Sequence, residues 1–259
     1  MPRLVSTLFR LLRSYLLWLP AVGLLCGFLL GALVGATEYL RLVDAMKTQI
    51  VADPGESGGP VLRIQPAPAL ALLEGLPVKV KETQHRYDRS SFGTAWADVD
   101  RNGCDTRNDI LRRDLLEPSS EAESGSECVI GSGLLRDPYT GQEISFRRGG
   151  STSAQVQIDH VVALSDAWRS GAAELSAERR LALANDPLNL LAVDGPANRR
   201  KSDADAAAWL PQEAFRCHYV ARQVSVKASY GLWVDSGERA AMLSVLRSCP
   251  ETMSMPSAL

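Results

Sequence analysis

The chain has 259 residues, 46% of them hydrophobic and 22% charged, with a formal net charge of −2. That length supports one domain with a sizeable core, or two small ones. From His85 onward 20 Lys and Arg face 24 Asp and Glu, about −4, so no basic surplus marks a nucleic-acid surface and any such function rests on local residues.

The stretch Tyr15 to Ala36, YLLWLPAVGLLCGFLLGALVGA, carries no charge and is long enough to cross a bilayer as a helix. Arg3, Arg10 and Arg13 precede it, which sets the N-terminus in the cytoplasm and the rest outside. Residues 1–36 therefore read as a signal anchor, which fits the length best, or as a signal peptide cut after Val34-Gly35-Ala36. Cys26 lies inside this span, behind a leucine too bulky for a lipoprotein site. Residues 37–83 read as a stalk: Glu38 to Val51 suits a short helix, and ADPGESGGP and QPAPAL then break regular structure. The exported domain is expected over residues 84–250, with a C-terminal tail at 251–259.

Within the domain, Asp105 or Thr106 can cap a short helix bearing Ile110, Leu111 and Leu115. The acidic EPSSEAESGSE reads as an exposed loop. CVIGSGLLRDPYTGQEISF reads as a hairpin turning at Asp137 to Gly141. A strand is expected from Ala154 to Asp159, a helix capped by Ser176, a strand over 188–193, and a helix opened by Pro196. Two further helices over 211–229 and 236–248 break near residue 233. Cys217 and Cys249 lie symmetrically about that break, so an antiparallel helix hairpin pairs them and leaves Cys104 with Cys128. An even number of exported cysteines suits two disulfides, and no C-x-x-C cluster points to zinc.

The chemistry centres on QVQIDHVVALSDAW, residues 155–168. His160 is one of three histidines, and it stands beside Asp159 at a strand end. Alone, such a histidine is most often a satisfied core residue. Asn189 follows on the next strand and Asn198 on the next helix, a β-β-α order. In that order Asp159 and Asn198 can converge on one cation, while Asn189 offers its carbonyl oxygen to the imidazole of His160. Oxygen ligands suit a hard cation that neutralises charge on a phosphoryl transition state. A neutral imidazole takes a proton from water near neutral pH. Arg199, Arg200 and Lys201 read as a solvated basic face that can reach a phosphate, Lys201 first. Trp96, Trp168, Trp209 and Trp233 read as core anchors.

IDHVVALSDAW, NDPLNLLAVDGPANRRKSDADAAAWLP and the upstream YDRSSFGTAWADVDRNGCDTRNDIL resemble the HNH endonuclease superfamily, and most of all its GmrSD-type domain in exported bacterial proteins. The likeness spans about residues 85–250. It implies an α+β fold with a ββα-metal (His-Me finger) core, additional helices and an N-terminal β-hairpin region, preceded by the single transmembrane or signal helix. It implies hydrolysis of nucleic-acid phosphodiesters, DNA first and RNA second, with a divalent cation, Mg²⁺ ahead of Mn²⁺ or Ca²⁺. By position His160 matches the general base, Asn189 the residue that orients it, and Asp159 and Asn198 the metal ligands. Lys201 and Arg107 are the expected substrate contacts. The competing expectation is a non-catalytic nucleic-acid-binding module at the cell surface on the same scaffold.

Overall fold

The computed structural model describes residues 66–121, 127–149, 153–257 and 259. The candidate membrane or signal span at 15–36, and most of the stalk, lie outside the described residues. Among the described residues no helix is long and apolar enough to cross a membrane.

The last part of the segment read as a stalk is built into the domain. Helix α1, Ala69–Gly75, buries Ala69 and Leu73 in one core cluster with Tyr219, Val220 and Met242. The chain then runs beside Val234, which accepts a hydrogen bond from the Lys79 amide at 3.0 Å. Lys81 ends this strap by bonding Asp166 and Asp205, each at 2.5 Å. Glu238 and Lys227, both fully buried, complete the ion cluster with Asp166. Such a cluster has to be fully paired to be tolerated inside, which fixes the strap in place. The domain thus begins well before residue 84.

Helix α2, Thr106–Asp114, is capped by Asp105, whose side chain accepts from the Asn108 amide. It leads directly into strand β1, Leu115–Ser120, which takes up the first four residues of the segment expected as an exposed acidic loop; Glu117 to Ser120 are exposed as expected. Strand β1 pairs antiparallel with β2, Ile130–Arg136, which pairs with β3, Glu143–Arg147. Leu116↔Leu134 and Leu115↔Leu135 set the first register, while Glu117 adopts φ 48° and breaks the ladder before Ser119. The β2–β3 hairpin turns where expected: the Asp137 side chain accepts from the Thr140 amide, and Gly141 takes φ 76°.

A second sheet holds β4, Val156–His160, against β5, Leu190–Asp194. Register runs from Val156↔Asp194 to His160↔Leu190. Helix α3, Leu164–Arg169, and helix α4, Ala177–Asn185, fill the connection between them. Helix α5, Gly195–Lys201, leaves β5 without a linker; Asp194 caps it by accepting from the Ala197 amide, with Pro196 in the first turn. Gly195 is required there, because a Cβ would meet the Ala154 carbonyl oxygen at 2.3 Å. Helices α6, Arg216–Tyr230, and α7, Ser236–Arg247, form the expected hairpin.

The disulfides are Cys104–Cys128 and Cys217–Cys249, with Cα separations of 5.2 and 6.4 Å. The second ties the start of α6 to the residues after α7. Strand alternation explains how the small sheet serves two cores. Leu190 and Ala192 join Ile110, Ile130, Phe146 and Ile158 on one side, while Leu191 and Val193 join Val161, Ala197 and Tyr219 on the other.

Candidate active site

Asp159 and His160 are adjacent on a strand, so their side chains leave it on opposite faces. Asp159 follows Gln157 toward α5. His160 follows Ile158 toward the side of α2 and Trp96. The structure therefore divides the motif between two environments.

On the α5 face Asp159 is buried, and both of its oxygens are engaged. The Tyr139 hydroxyl donates to one at 2.5 Å. The Lys201 ammonium lies 3.0 and 3.2 Å from the two oxygens and donates at 2.9 Å to the His160 backbone carbonyl. Burial raises the Asp159 carboxyl above the usual range, against the opposing pull of Lys201 and the Tyr139 hydroxyl. Burial and the neighbouring carboxylate push the Tyr139 hydroxyl well up, so it stays a donor. Lys201 is fully buried, contrary to the expected phosphate contact: it is a brace beneath the strand end. Asn198, one turn earlier on α5, donates through its side-chain nitrogen to Gln157 Oε1 at 2.9 Å.

The oxygen donors of Asp159 and Asn198 are of the type that a hard cation takes. Their arrangement does not fit a resident divalent ion. The Asp159 carboxylate is already matched by a full positive charge on Lys201, and Asn198 is turned to Gln157. Among the described residues no group of three or more His, Cys, Asp or Glu side chains is placed to hold a metal ion.

On the other face His160 lines a cleft of about 250 Å³ with Arg89, Gly93, Trp96, Leu164 and Ala184 among its walls. Its Nε2 lies 2.9 Å from the Ala184 carbonyl oxygen at the end of α4. A carbonyl only accepts, so Nε2 carries the hydrogen and the neutral ring keeps its lone pair on Nδ1. Desolvation pulls the imidazole pKa down to about 4, with Arg89 and Lys201 adding to the fall and the Ala184 bond opposing it. At neutral pH the ring is an uncharged base.

Asn189 was expected to bond the imidazole, and it works one step away. Its Oδ1 accepts from the Val162 amide at 2.8 Å, and its Nδ2 donates to the Val162 and Leu183 carbonyls, each at 3.3 Å. Its own backbone carbonyl accepts from the Val161 amide at 2.7 Å. Asn189 thus clamps the turn that follows His160 to the end of α4, where the true partner of the ring, Ala184, resides. Arg107 sits on the first turn of α2, where burial and the nearby Arg148 lower its pKa. It is not among the residues lining the cleft.

Two contributors, Arg89 and Tyr139, were not singled out in the sequence, and a third, Trp96, was expected as a core anchor but lines the cleft. Arg89 lies on a 3₁₀ turn, Arg89–Phe92, whose cap is Asp88. Trp96 follows on an irregular segment, and its ring lies nearly parallel to that of His160, at 13° with centroids 6.2 Å apart. Tyr139 reaches Asp159 from the hairpin turn. The only signal for Arg89 and Trp96 in the cleft was the resemblance of the upstream YDRSSFGTAW segment.

Comparison with known proteins agrees with the motif. Residues 105–245 match the family model of the C-terminal domain of GmrSD restriction endonucleases. A fungal protein of Arthroderma benhamiae, described as an uncharacterized secreted protein, is 32% identical over 215 residues, 82% of this chain and 100% of that one. No solved structure matches the chain. The matched segment carries β4, β5, α5, the whole Asp159 environment and the His160, Leu164 and Ala184 side of the cleft, while the Arg89 to Trp96 wall lies ahead of it; the chain belongs to the GmrSD restriction endonuclease C-terminal domain family.

Proposed function

We propose that this protein is an HNH-type nuclease that hydrolyses nucleic-acid phosphodiester bonds outside the cytoplasm, with DNA as first substrate and RNA as second, and with His160 as its general base. The observation that carries this reading is the bond from His160 Nε2 to the Ala184 carbonyl, in a cleft shared with Arg89. That bond presents Nδ1 as the free base and fixes the ring's angle. Nδ1 takes a proton from water, the hydroxide attacks phosphorus, and the bond to the 3′ oxygen breaks. The departing oxygen takes its proton from solvent, leaving 5′-phosphate and 3′-hydroxyl ends. The positive charge of Arg89 favours the anionic diester at the cleft. Asn189 and Lys201 hold the backbone on either side of His160.

The location rests on the two disulfides, which suit an oxidising compartment, and on the fungal relative's description as secreted. The N-terminal span then serves as membrane anchor or cleaved signal. The family's divalent ion, Mg²⁺ with Mn²⁺ or Ca²⁺ as alternatives, enters no step here, because Lys201 occupies Asp159. That same pair favours the second reading, a nucleic-acid-binding module without cleavage.

One assay separates them. Wild-type protein and a folded His160→Ala variant are incubated with plasmid DNA and RNA, with each cation and with chelator. Cutting by the wild type, reduced at least about 10²-fold in the variant, is the expected result. Wild-type rates in His160→Ala reject the mechanism, and binding without cutting establishes the module. Loss of cutting in chelator would mean that a cation displaces Lys201 from Asp159.

A further inference from the structure

We propose that the cleft seats an unpaired nucleobase against Trp96, so that the protein acts on single-stranded nucleic acid. This rests on the nuclease reading above and names the substrate class of the same site.

Four tryptophans of the domain can be compared. Trp168 packs against Tyr87 and Phe92, Trp209 against Tyr139 and Tyr219, and Trp233 lies under Lys79. Trp96 differs in its ring partner, which is His160 across the cleft; like Trp168 and Trp209 it is half-buried, one part resting on the cluster of Ile110 and Phe146. Its backbone sits at φ 58°, a region that bulky residues seldom enter. Helix α2 holds it there: the Thr106 amide donates to the Trp96 carbonyl at 3.4 Å, and the Thr106 hydroxyl to the Ala97 carbonyl at 2.5 Å. The indole is thus preset, as a stacking surface needs to be.

Size and charge narrow the occupant. At about 250 Å³ the cleft falls below the roughly 300–1,000 Å³ of pockets for drug-sized ligands, the scale of one nucleotide unit. Arg89 carries the sole permanent charge among the lining residues, enough for one phosphate. Duplex affinity comes largely from neutralising many phosphates, and the exported part has no basic surplus to do so. A paired base also has both faces covered by its neighbours, and must be unstacked before it can lie on an indole. A base on Trp96 brings the adjoining phosphate toward His160 and Arg89.

The test uses a single-stranded DNA oligonucleotide and a hairpin duplex of the same composition, with wild-type, Trp96→Ala and Trp96→Phe proteins checked for folding by circular dichroism. The expected result is a wild-type KM at least about tenfold lower for the single strand. Trp96→Ala should raise that KM about tenfold, the scale of one base–aromatic stack, with a much smaller change in kcat, and Trp96→Phe should restore most of it. Equal wild-type KM on both substrates, or an unchanged KM in Trp96→Ala, overturns the proposal. Should no cleavage occur at all, the nuclease reading fails by itself. Fluorescence anisotropy with the labelled single strand then decides: about tenfold weaker binding by Trp96→Ala supports the stacking site, and unchanged binding overturns it. Should Trp96→Ala not fold, the comparison passes to Trp96→His, which keeps a smaller flat ring and should give an intermediate KM; a wild-type value there overturns the proposal.

Discussion

The two faces of strand β4 present opposite solutions to burying a polar group. On the α5 side Asp159 is charge-matched by Lys201, bonded by Tyr139 and closed to solvent. On the other side His160 has one ring nitrogen fixed by Ala184 and opens on a cleft. One face has both carboxylate oxygens bonded within the protein, and the other keeps a ring nitrogen for a ligand. The difference teaches that neighbours in a motif need not be neighbours in a site. Here the aspartate and its lysine brace the strand end, and the histidine faces the cleft.

The sharpest way to break this contrast is to remove the charge match on the closed face. Lys201→Met leaves a buried carboxylate without its cation, which costs about 3–5 kcal/mol. Urea unfolding at pH 7 should show a loss of that size, and Lys201→Met combined with Asp159→Asn should recover much of it. A single variant as stable as wild type would mean that the α5 face is not sealed by this pair.

The open face makes a prediction in pH. The folded pKa of His160 lies at about 4, below the ordinary 6.5, so the unfolded chain takes up the proton first. Its stabilising contribution is present in full above about pH 6.5 and is lost as pH falls toward 4. The gap corresponds to about 3 kcal/mol. Unfolding free energies of wild type and His160→Gln, measured from pH 7.5 to 4, should converge by that order; parallel curves would show that the ring is not buried neutral.

Tyr139→Phe is the finest probe. It removes one hydroxyl from Asp159 and leaves the aromatic packing against Trp209 and Tyr219 in place. The expected cost is about 1–3 kcal/mol, read from the midpoint of thermal unfolding. No change in midpoint would argue that water readily replaces the hydroxyl.

Much of this arrangement was legible in the chain. The β4, β5 and α5 order followed from apolar runs and from Pro196 and Asp194 at the helix start. The Cys217–Cys249 pairing followed from the symmetry of two helices about one break. Strand β1 was hidden because LLEPSS has loop composition, and it is recruited by Leu115 and Leu116 against β2 rather than by its own propensity. The division of Asp159 from His160 was implicit in strand alternation. The partner of each was not, since Tyr139 and Lys201 lie 20 and 42 residues from Asp159. Lys201 resembled its exposed neighbours Arg199 and Arg200, and only the turn of α5 around the strand separates it from them. The Arg89 to Trp96 wall is one short 3₁₀ turn followed by irregular backbone, too short to show a periodicity.

The two ends of the described domain are sewn to each other. The Ala69 amide donates to the Thr252 carbonyl and the Ser254 amide to the Ala67 carbonyl, each at 2.8 Å. Three residues before Thr252 stands Cys249, covalently joined to Cys217. Tension applied through the chain ahead of residue 66 would therefore fall first on this seam. A seam of that kind couples the entry of the described domain to its exit, so that neither end can peel away without breaking bonds to the other.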